Sequence, residues 1–449
     1  MKKISVLFIV LCVLVSVFAT ACQPKKPSTP ATPTFDYNAA ATQALQDMLD
    51  TWWTGDAATG NIVKTGWGYP TAPYDNMIWA SAMMSFDLFT MWDIAPSDDI
   101  KARVQAQYNW TREYVPGRTA NFGRAPHIAV DDCGWSAMYY METYRITGDT
   151  RARDDALKLI NGTYDYFKDG DTVNGLWYPS VATGQNYKSI YATGIVTASL
   201  MFLLDAQKSD PNWQTTYAEL YQNALNTYNW MEANMLRGGN YSVTSQHGAV
   251  TQYNCADNLY WCDYNVNRPG VGEKTGPDGG TNAGGITESQ SVSALLGNQG
   301  MAVCHALFYQ LTGDATYRDR AVRTAAAITD SHFYNRNGVL LNDRDGWSDA
   351  TYFSFYIRDV LTLPGIRDTD KQIMLTTAQS AAQNCRVQTD GKWYYKAEWS
   401  GGTAWEDNGI QNNGKPVGTR PEQIMTSADT ANAIIAGQLL ASMQAAGTI

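Results

Sequence analysis

The chain has 449 residues, 44% hydrophobic, 17% charged and 12% aromatic, with 33 Lys and Arg against 43 Asp and Glu. Abundant apolar residues and low charge exclude a largely disordered chain, and a net charge of −10 argues against any nucleic-acid partner, because phosphate binding needs a basic face. What remains is a large, acidic, aromatic-rich globular protein, long enough for two or three domains or for one toroid or barrel.

The elements begin with an export signal. Lys2 and Lys3 precede a run from Ile4 to Phe18 broken only by Ser5 and Ser16. That run is short for a bilayer span and suits a signal-peptide core. Ala19, Thr20 and Ala21 then lead to Cys22, which resembles a bacterial lipoprotein signal. Residues 1–21 are therefore expected to be removed and Cys22 to be lipidated. Ala19 stands where such signals usually have Leu, so conventional cleavage after Ala21 stays open. Residues 22–36 are rich in Pro and Thr and read as a solvated tether, with the folded domain at 37–449. The expected location is the cell surface or outer membrane, touched only through the lipid anchor, with secretion as the alternative.

From there, apolar spacing and turn residues predict helices near 38–53, 73–94, 97–113, 133–146, 150–168, 188–207, 211–235, 289–311, 315–332, 348–362, 367–386 and 422–445. Gly, Asn, Asp and Pro clusters separate them, and no alternating β-rich run competes. Tyr144–Asp149, YRITGD, recurs as Tyr309–Asp314, YQLTGD, and Arg153, Asp154 and Ala156 recur as Arg318, Asp319 and Ala321. In each copy Gly suits a helix C-cap and Asp an N-cap. Repeated hairpins bury their apolar faces only by stacking on neighbours. The expected fold is all-α, an (α/α)6 toroid of six helical hairpins, with an open solenoid as the alternative.

Cysteines are seven in number, of which Cys12 and Cys22 belong to the export signal. Cys255 and Cys262 are close enough in sequence to form a small disulfide loop, and whether they pair stays open. No CxxC pair or HExxH motif exists, so neither a metal site nor a cofactor is expected. Four histidines without local context offer no Ser/His/Asp triad.

The sharpest polar interruption is Val130-Asp131-Asp132-Cys133-Gly134-Trp135, directly before a predicted helix. Two carboxylates there serve a helix start as capping groups and partners of its dipole. They also suit retaining glycoside hydrolysis, in which two carboxyl groups about 5–5.5 Å apart act as nucleophile and as acid/base. Adjacent residues in a turn can reach that spacing, whereas in a strand they point oppositely.

At these residues the chain resembles glycoside hydrolase family 76. The Asp131-Asp132 segment with Trp135 and Tyr144–Asp149 is similar to the family's catalytic region and following helix. Asn298-Gln299-Gly300 resembles its Tyr-Asn-Gln-Gly helix entry, Tyr187-Lys188-Ser189 its Tyr-Lys-Asn, and Tyr352–Asp359 its segment ending in Val-Arg-Tyr, with Arg358 retained. Tyr74-Asp75-Asn76 is a looser counterpart of an early Trp-Gln-Asn. The chain departs from the pattern at Cys133-Gly134, where Asn-Ala is usual, and also at Gly297 and Ser189. The resemblance implies an exported hydrolase cleaving α-1,6-mannosidic linkages in mannan by a retaining mechanism, with Asp131 as nucleophile and Asp132 as acid/base. It further implies contacts to an α-mannan or mannose-containing oligosaccharide from Asn298, Gln299, Trp135, Tyr187, Lys188 and Asn76. The protein is expected to act as a monomer. The alternatives are a transglycosidase on mannose-containing glycans and a non-catalytic surface glycan-binding lipoprotein.

Overall fold

A helix that is apolar on every side can sit only inside a protein, whereas one with a single apolar stripe covers a core from outside. This chain alternates the two kinds. A computed structural model describes residues 35–62, 77–114, 129–168, 175–178, 187–236, 295–331, 334–340, 350–389 and 421–449, with short pieces at 240–244, 250–254, 258–261, 263–265, 286–287, 391–396 and 399. Residues 1–21, Cys22, most of the 22–36 tether, Asn76, Cys255 and Cys262 lie outside the described residues. All elements below belong to the unit Tyr37–Ile449.

Among the described residues, leaving aside the one-turn helix Trp213–Thr216, the α-helices in chain order are α1 Tyr37–Trp52, α2 Met77–Ile94, α3 Asp98–Tyr114, α4 Val130–Thr147, α5 Thr150–Phe167 and α6 Thr193–Ser209. They continue with α7 Ala218–Met235, α8 Leu295–Thr312, α9 Ala315–Asp330, α10 Phe353–Phe355, α11 Asp368–Asn384 and α12 Pro421–Ala445. In α4 every residue from Cys133 to Thr143 is buried, in α6 every residue from Thr193 to Leu200, and in α8 every residue from Leu295 to Phe308. In α5, by contrast, burial follows one stripe through Ala152, Ala156, Leu159, Ile160, Thr163, Tyr164 and Phe167.

The buried helices pack in a ring. α2 lies on α4, α4 on α6, α6 on α8, α8 on the π-helical turn Tyr356–Val360 that continues α10, α10 on α12, and α12 again on α2. Outside them, α3 packs on α2, α5 on α4, α7 on α6, α9 on α8, and both α11 and α1 on α12. α1 and α12, the first and last of the described helices, thus close the circle, and the architecture is the (α/α)6 toroid. Ile190–Ser209 is long and apolar enough to cross a membrane by length and composition, but 72% of it is buried as part of this inner ring.

The repeated YxxTGD segments do the same work twice. Gly148 and Gly313 take φ of 77° and 73°, the left-handed region that only glycine enters freely, and their N–H groups close onto Tyr144 O and Tyr309 O, each at 2.8 Å. Asp149 and Asp314 then cap the next helix by accepting from Arg151 N and Thr316 N.

Three expectations differ. The helix expected from 188 starts at Thr193, after a strand Tyr187–Ser189 and a 3-10 turn in which Ser189 Oγ accepts from Tyr191 N. The one expected at 348–362 is a short helix relaxed into a π turn. Strands do exist. Asn240–Thr244 pairs with Val250–Asn254, Arg386–Thr389 with Lys392–Tyr395, and Tyr187–Ser189 with both Trp177–Tyr178 and Asp263–Asn265. These ribbons are too short for alternation to stand out against the surrounding polar loops.

Candidate functional site

Polar residues of the sequence signature gather where the inner helices begin. α4 starts after Ala129, whose extended backbone (φ −81°, ψ 160°) turns the chain into the helix. Asp131 and Asp132 follow in the first turn, both half-buried. Asp131 Oδ1 accepts from the Asp132 N–H at 2.8 Å, and Asp132 Oδ2 accepts from the Ala129 N–H at 3.4 Å. The second bond is half of a capping box. Both carboxylates therefore also serve the helix start, on the positive end of its dipole.

One turn further, α4 and α6 meet without side chains between them. A Cβ on Gly134 would stand 2.7 Å from Gly194 C and Ile195 N, so only glycine permits this approach. Gly297 and Gly300 bring α8 equally close: a Cβ on the first would meet Ile190, and on the second Thr193 and Tyr352. Tyr352 OH reaches Thr193 Oγ1 at 3.3 Å, and Trp135 meets the Tyr352 ring edge-on with centroids 5.5 Å apart. The first turns of α4, α6 and α8 and the start of α10 thus converge. Asp131–Asp132, Lys188–Ser189 and Asn298–Gln299 all border this one end.

This packing sets the surroundings of several side chains expected to contact sugar. Trp135 is 1% exposed and wedged between Tyr352 and Gly194, so its ring belongs to the floor and has no free face for a sugar. Asn298 is fully buried, and its amide is committed to the backbone of another segment. Its Oδ1 accepts from Tyr260 N at 2.8 Å, while Nδ2 donates to Tyr334 OH at 3.0 Å and to Tyr260 O at 3.4 Å. Lys188 is buried with Nζ 4.6 Å above the Trp230 ring, a cation–π pair. Tyr187 is placed by its backbone in the adjoining strand, and Asn76 lies outside the described residues. Gln299 is buried, and neither its amide nitrogen nor its oxygen has a hydrogen-bond partner. Such a group costs about 1–3 kcal/mol when nothing pairs it, so its retention calls for a reason.

Arg358 lies elsewhere. It bonds Asp93 at 2.7 Å and Glu142 at 3.3 Å, near the far ends of α2 and α4, with Arg145 joining the same two carboxylates. Burial alone would raise the Glu142 carboxyl, but Arg145 and Arg358 outweigh it and hold it at about 2. This cluster ties three inner helices together.

Two features carried no signal in the sequence. Asp87 on α2 is buried with both carboxyl oxygens unpaired, and burial together with nearby Asp429 pushes it well above the usual carboxylate range. The second is a hydrogen-bonded chain around His305, since a histidine inside an apolar helix reads as ordinary core. No cluster of three or more potential metal ligands exists among the described residues.

The family model for Glycosyl hydrolase family 76 matches residues 279–429, a segment that holds Asn298–Gln299 and Arg358 but not the aspartate pair. Among solved structures, the α-1,6-mannanase of Salegentibacter sp. HEL1_6 is 14% identical with a TM-score of 0.62, covering 90% of this chain and 100% of that one. An inactive variant of that enzyme, with two consecutive aspartates replaced by alanine and bound to α-1,6-mannotetrose, scores 0.61 at the same identity and coverage. The family 76 mannosidase of Bacteroides thetaiotaomicron VPI-5482 is 12% identical with a TM-score of 0.57, covering 91% of this chain and 99% of that one. No curated protein sequence matches the chain. The chain thus carries a family 76 match over residues 279–429 and shares the toroid fold of these enzymes.

Proposed function

We propose that this glycoside hydrolase cleaves α-1,6-mannosidic linkages in mannan by a retaining mechanism, with Asp131 as nucleophile and Asp132 as acid/base. The observation that carries the reading is the pair itself: two consecutive carboxylates in the first turn of an inner helix, at the convergence of α4, α6 and α8. The similar Salegentibacter mannanase is inactivated by replacing two consecutive aspartates, and in that form it holds α-1,6-mannotetrose.

The local bonds favour unequal roles. Two close carboxyl groups resist ionising together, so one keeps a proton while the other attacks. Of the two backbone bonds at this turn, Asp131 accepts the shorter, at 2.8 Å against 3.4 Å for Asp132, and a backbone donor favours a charged carboxylate. Asp131 then attacks the anomeric carbon as Asp132 protonates the departing oxygen, and Asp132 next draws a proton from the incoming water. Gln299 is the remaining candidate for contact with sugar hydroxyls, because an unpaired buried amide finds its missing partners in a polar ligand.

The sequence of residues 1–22 supports a place for this chemistry outside the cell, with Cys22 as the lipid-bearing N-terminus of a surface protein. Cys22→Ser should then release the protein from the membrane fraction, and a lipid-free mature N-terminus would refute the anchor. Sizing the products of linear and branched α-1,6-mannan digests tests the activity. Shortening chains with a retained α-anomer support it, and untouched mannan refutes it.

A further inference from the structure

Tyr260 lies 2% exposed between the outer and inner layers, and each part of it has a task. Its side chain enters a closed chain of hydrogen bonds. Arg320 contacts Tyr228 OH at 2.8 Å, Tyr228 OH contacts His305 Nδ1 at 2.9 Å, and Tyr260 OH contacts His305 Nε2 at 3.1 Å. Tyr260 OH also bonds Glu232, whose other oxygen lies 3.1 Å from Arg320. One direction of donation satisfies every group. Arg320 can only donate, so Tyr228 accepts and passes its own proton to His305 Nδ1. The His305 Nε2–H then donates to Tyr260, and the Tyr260 hydroxyl donates to the Glu232 carboxylate, which Arg320 closes from the other side. A neutral imidazole is required, and burial together with Arg320 and Arg323 pushes His305 well below its ordinary value.

The backbone of Tyr260 holds something different. Its N–H and C=O are both gripped by the Asn298 amide at the start of α8, and it bridges to Leu236 just after α7. The next residue, Trp261, donates its N–H to Met235 O at 2.8 Å. Two residues on, Asp263–Asn265 pairs with Tyr187–Ser189, setting Asp263 opposite Ser189 and Tyr264 opposite Lys188. One strap therefore joins the first turn of α8, where Gln299 sits, to the strand that leads into α6.

We infer that Tyr260 is a positioning residue for the candidate site: its hydroxyl, locked between His305 and Glu232, fixes the strap that sets the Lys188–Ser189 strand against the Asn298–Gln299 turn. This rests on the mannan-hydrolase reading for what the site binds, but not for the strap itself. Tyr260→Phe keeps the ring and the backbone bonds while removing the hydroxyl that both His305 and Glu232 use. Because the strap holds the Asn298–Gln299 turn and the Lys188–Ser189 strand and not the carboxylates, KM should move and kcat should stay.

The test measures both constants on α-1,6-mannooligosaccharides well below the melting temperature, together with amide hydrogen exchange of the substrate-free protein. Tyr260→Phe is expected to raise KM about tenfold with kcat within about twofold, and to speed exchange at 187–189 and 263–265. Glu232→Gln, which still offers the hydroxyl an acceptor, should stay close to wild type in both readouts. If Tyr260→Phe does not fold, Glu232→Ala carries the same expectation at smaller size. A variant that melts earlier yet keeps wild-type KM and exchange overturns the inference. Wild-type protein without turnover refutes the hydrolase reading alone, and the exchange data still decide the strap.

Discussion

Gly134 and Gly194 meet backbone against backbone where α4 and α6 enter the candidate site, so closely that a Cβ on Gly134 would stand 2.7 Å from Gly194 C. Glycine at 134, where the pattern the chain resembles has Ala, thus has a packing cause in this chain. The obstacle is backbone, which cannot swing aside as a flexible side chain would. Gly134→Ala should therefore destabilise by about 1–3 kcal/mol, the range for overpacking a dense core. A urea titration checks this, and unchanged stability would mean the two helices are free to part.

Glu142 makes a second, larger test of the ring. Its carboxylate is 1% exposed between Arg145 and Arg358. Removing one partner of a buried ionic cluster leaves the others uncompensated, so Glu142→Ala should cost about 3–5 kcal/mol. The pH dependence has a definite sign. A carboxyl held at about 2 against an ordinary 4.5 gives stability that is complete above 4.5 and disappears as pH falls towards 2. The gap between wild type and Glu142→Gln should accordingly narrow between pH 7 and pH 3 in melting experiments.

His305 should act in the opposite part of the pH scale. Its folded value lies well below the ordinary 6.5, so below that pH the unfolded chain binds a proton that the native state refuses. Stability then falls by about 1.4 kcal/mol for each pH unit below 6.5. Arg320 and Arg323 on α9 reinforce the refusal, while Glu232 on α7, raised by burial, opposes it by taking up a proton on folding. His305→Gln should flatten the loss between pH 6.5 and 5, and Glu232→Gln should steepen it. Identical slopes in all three proteins would contradict the neutral, hydrogen-bonded imidazole.

The roles within the aspartate pair separate chemically. Asp131→Ala should lose turnover on every mannoside, because no glycosyl-enzyme can form. Asp132→Ala should keep substrates with activated leaving groups, which need little protonation, and added azide should restore its second step as an α-mannosyl azide. Azide products are identified by NMR. A β-azide from Asp132→Ala would reverse the two assignments.

Much of this was legible in the residues because the signals are local. The YxxTGD repeat marks two hairpins through glycine and aspartate caps, and both take the expected backbone and bonds. What stayed hidden depends on partners distant in sequence. Asn298 looks like a polar group facing a ligand until Tyr260, 38 residues away, is seen to occupy it. Trp135 looks like a sugar platform until Tyr352 covers its edge. His305 reads as core, since nothing in its neighbourhood along the chain announces Tyr228, Tyr260 and Arg320.

The most direct measurement is the digestion of linear α-1,6-mannan by the wild-type protein and by Asp131→Ala, with the anomer of the first products followed by NMR. Wild type is expected to release short mannooligosaccharides that appear first as the α-anomer, and Asp131→Ala to release none. Release of the β-anomer, or equal release by both proteins, would contradict a retaining mechanism carried by Asp131.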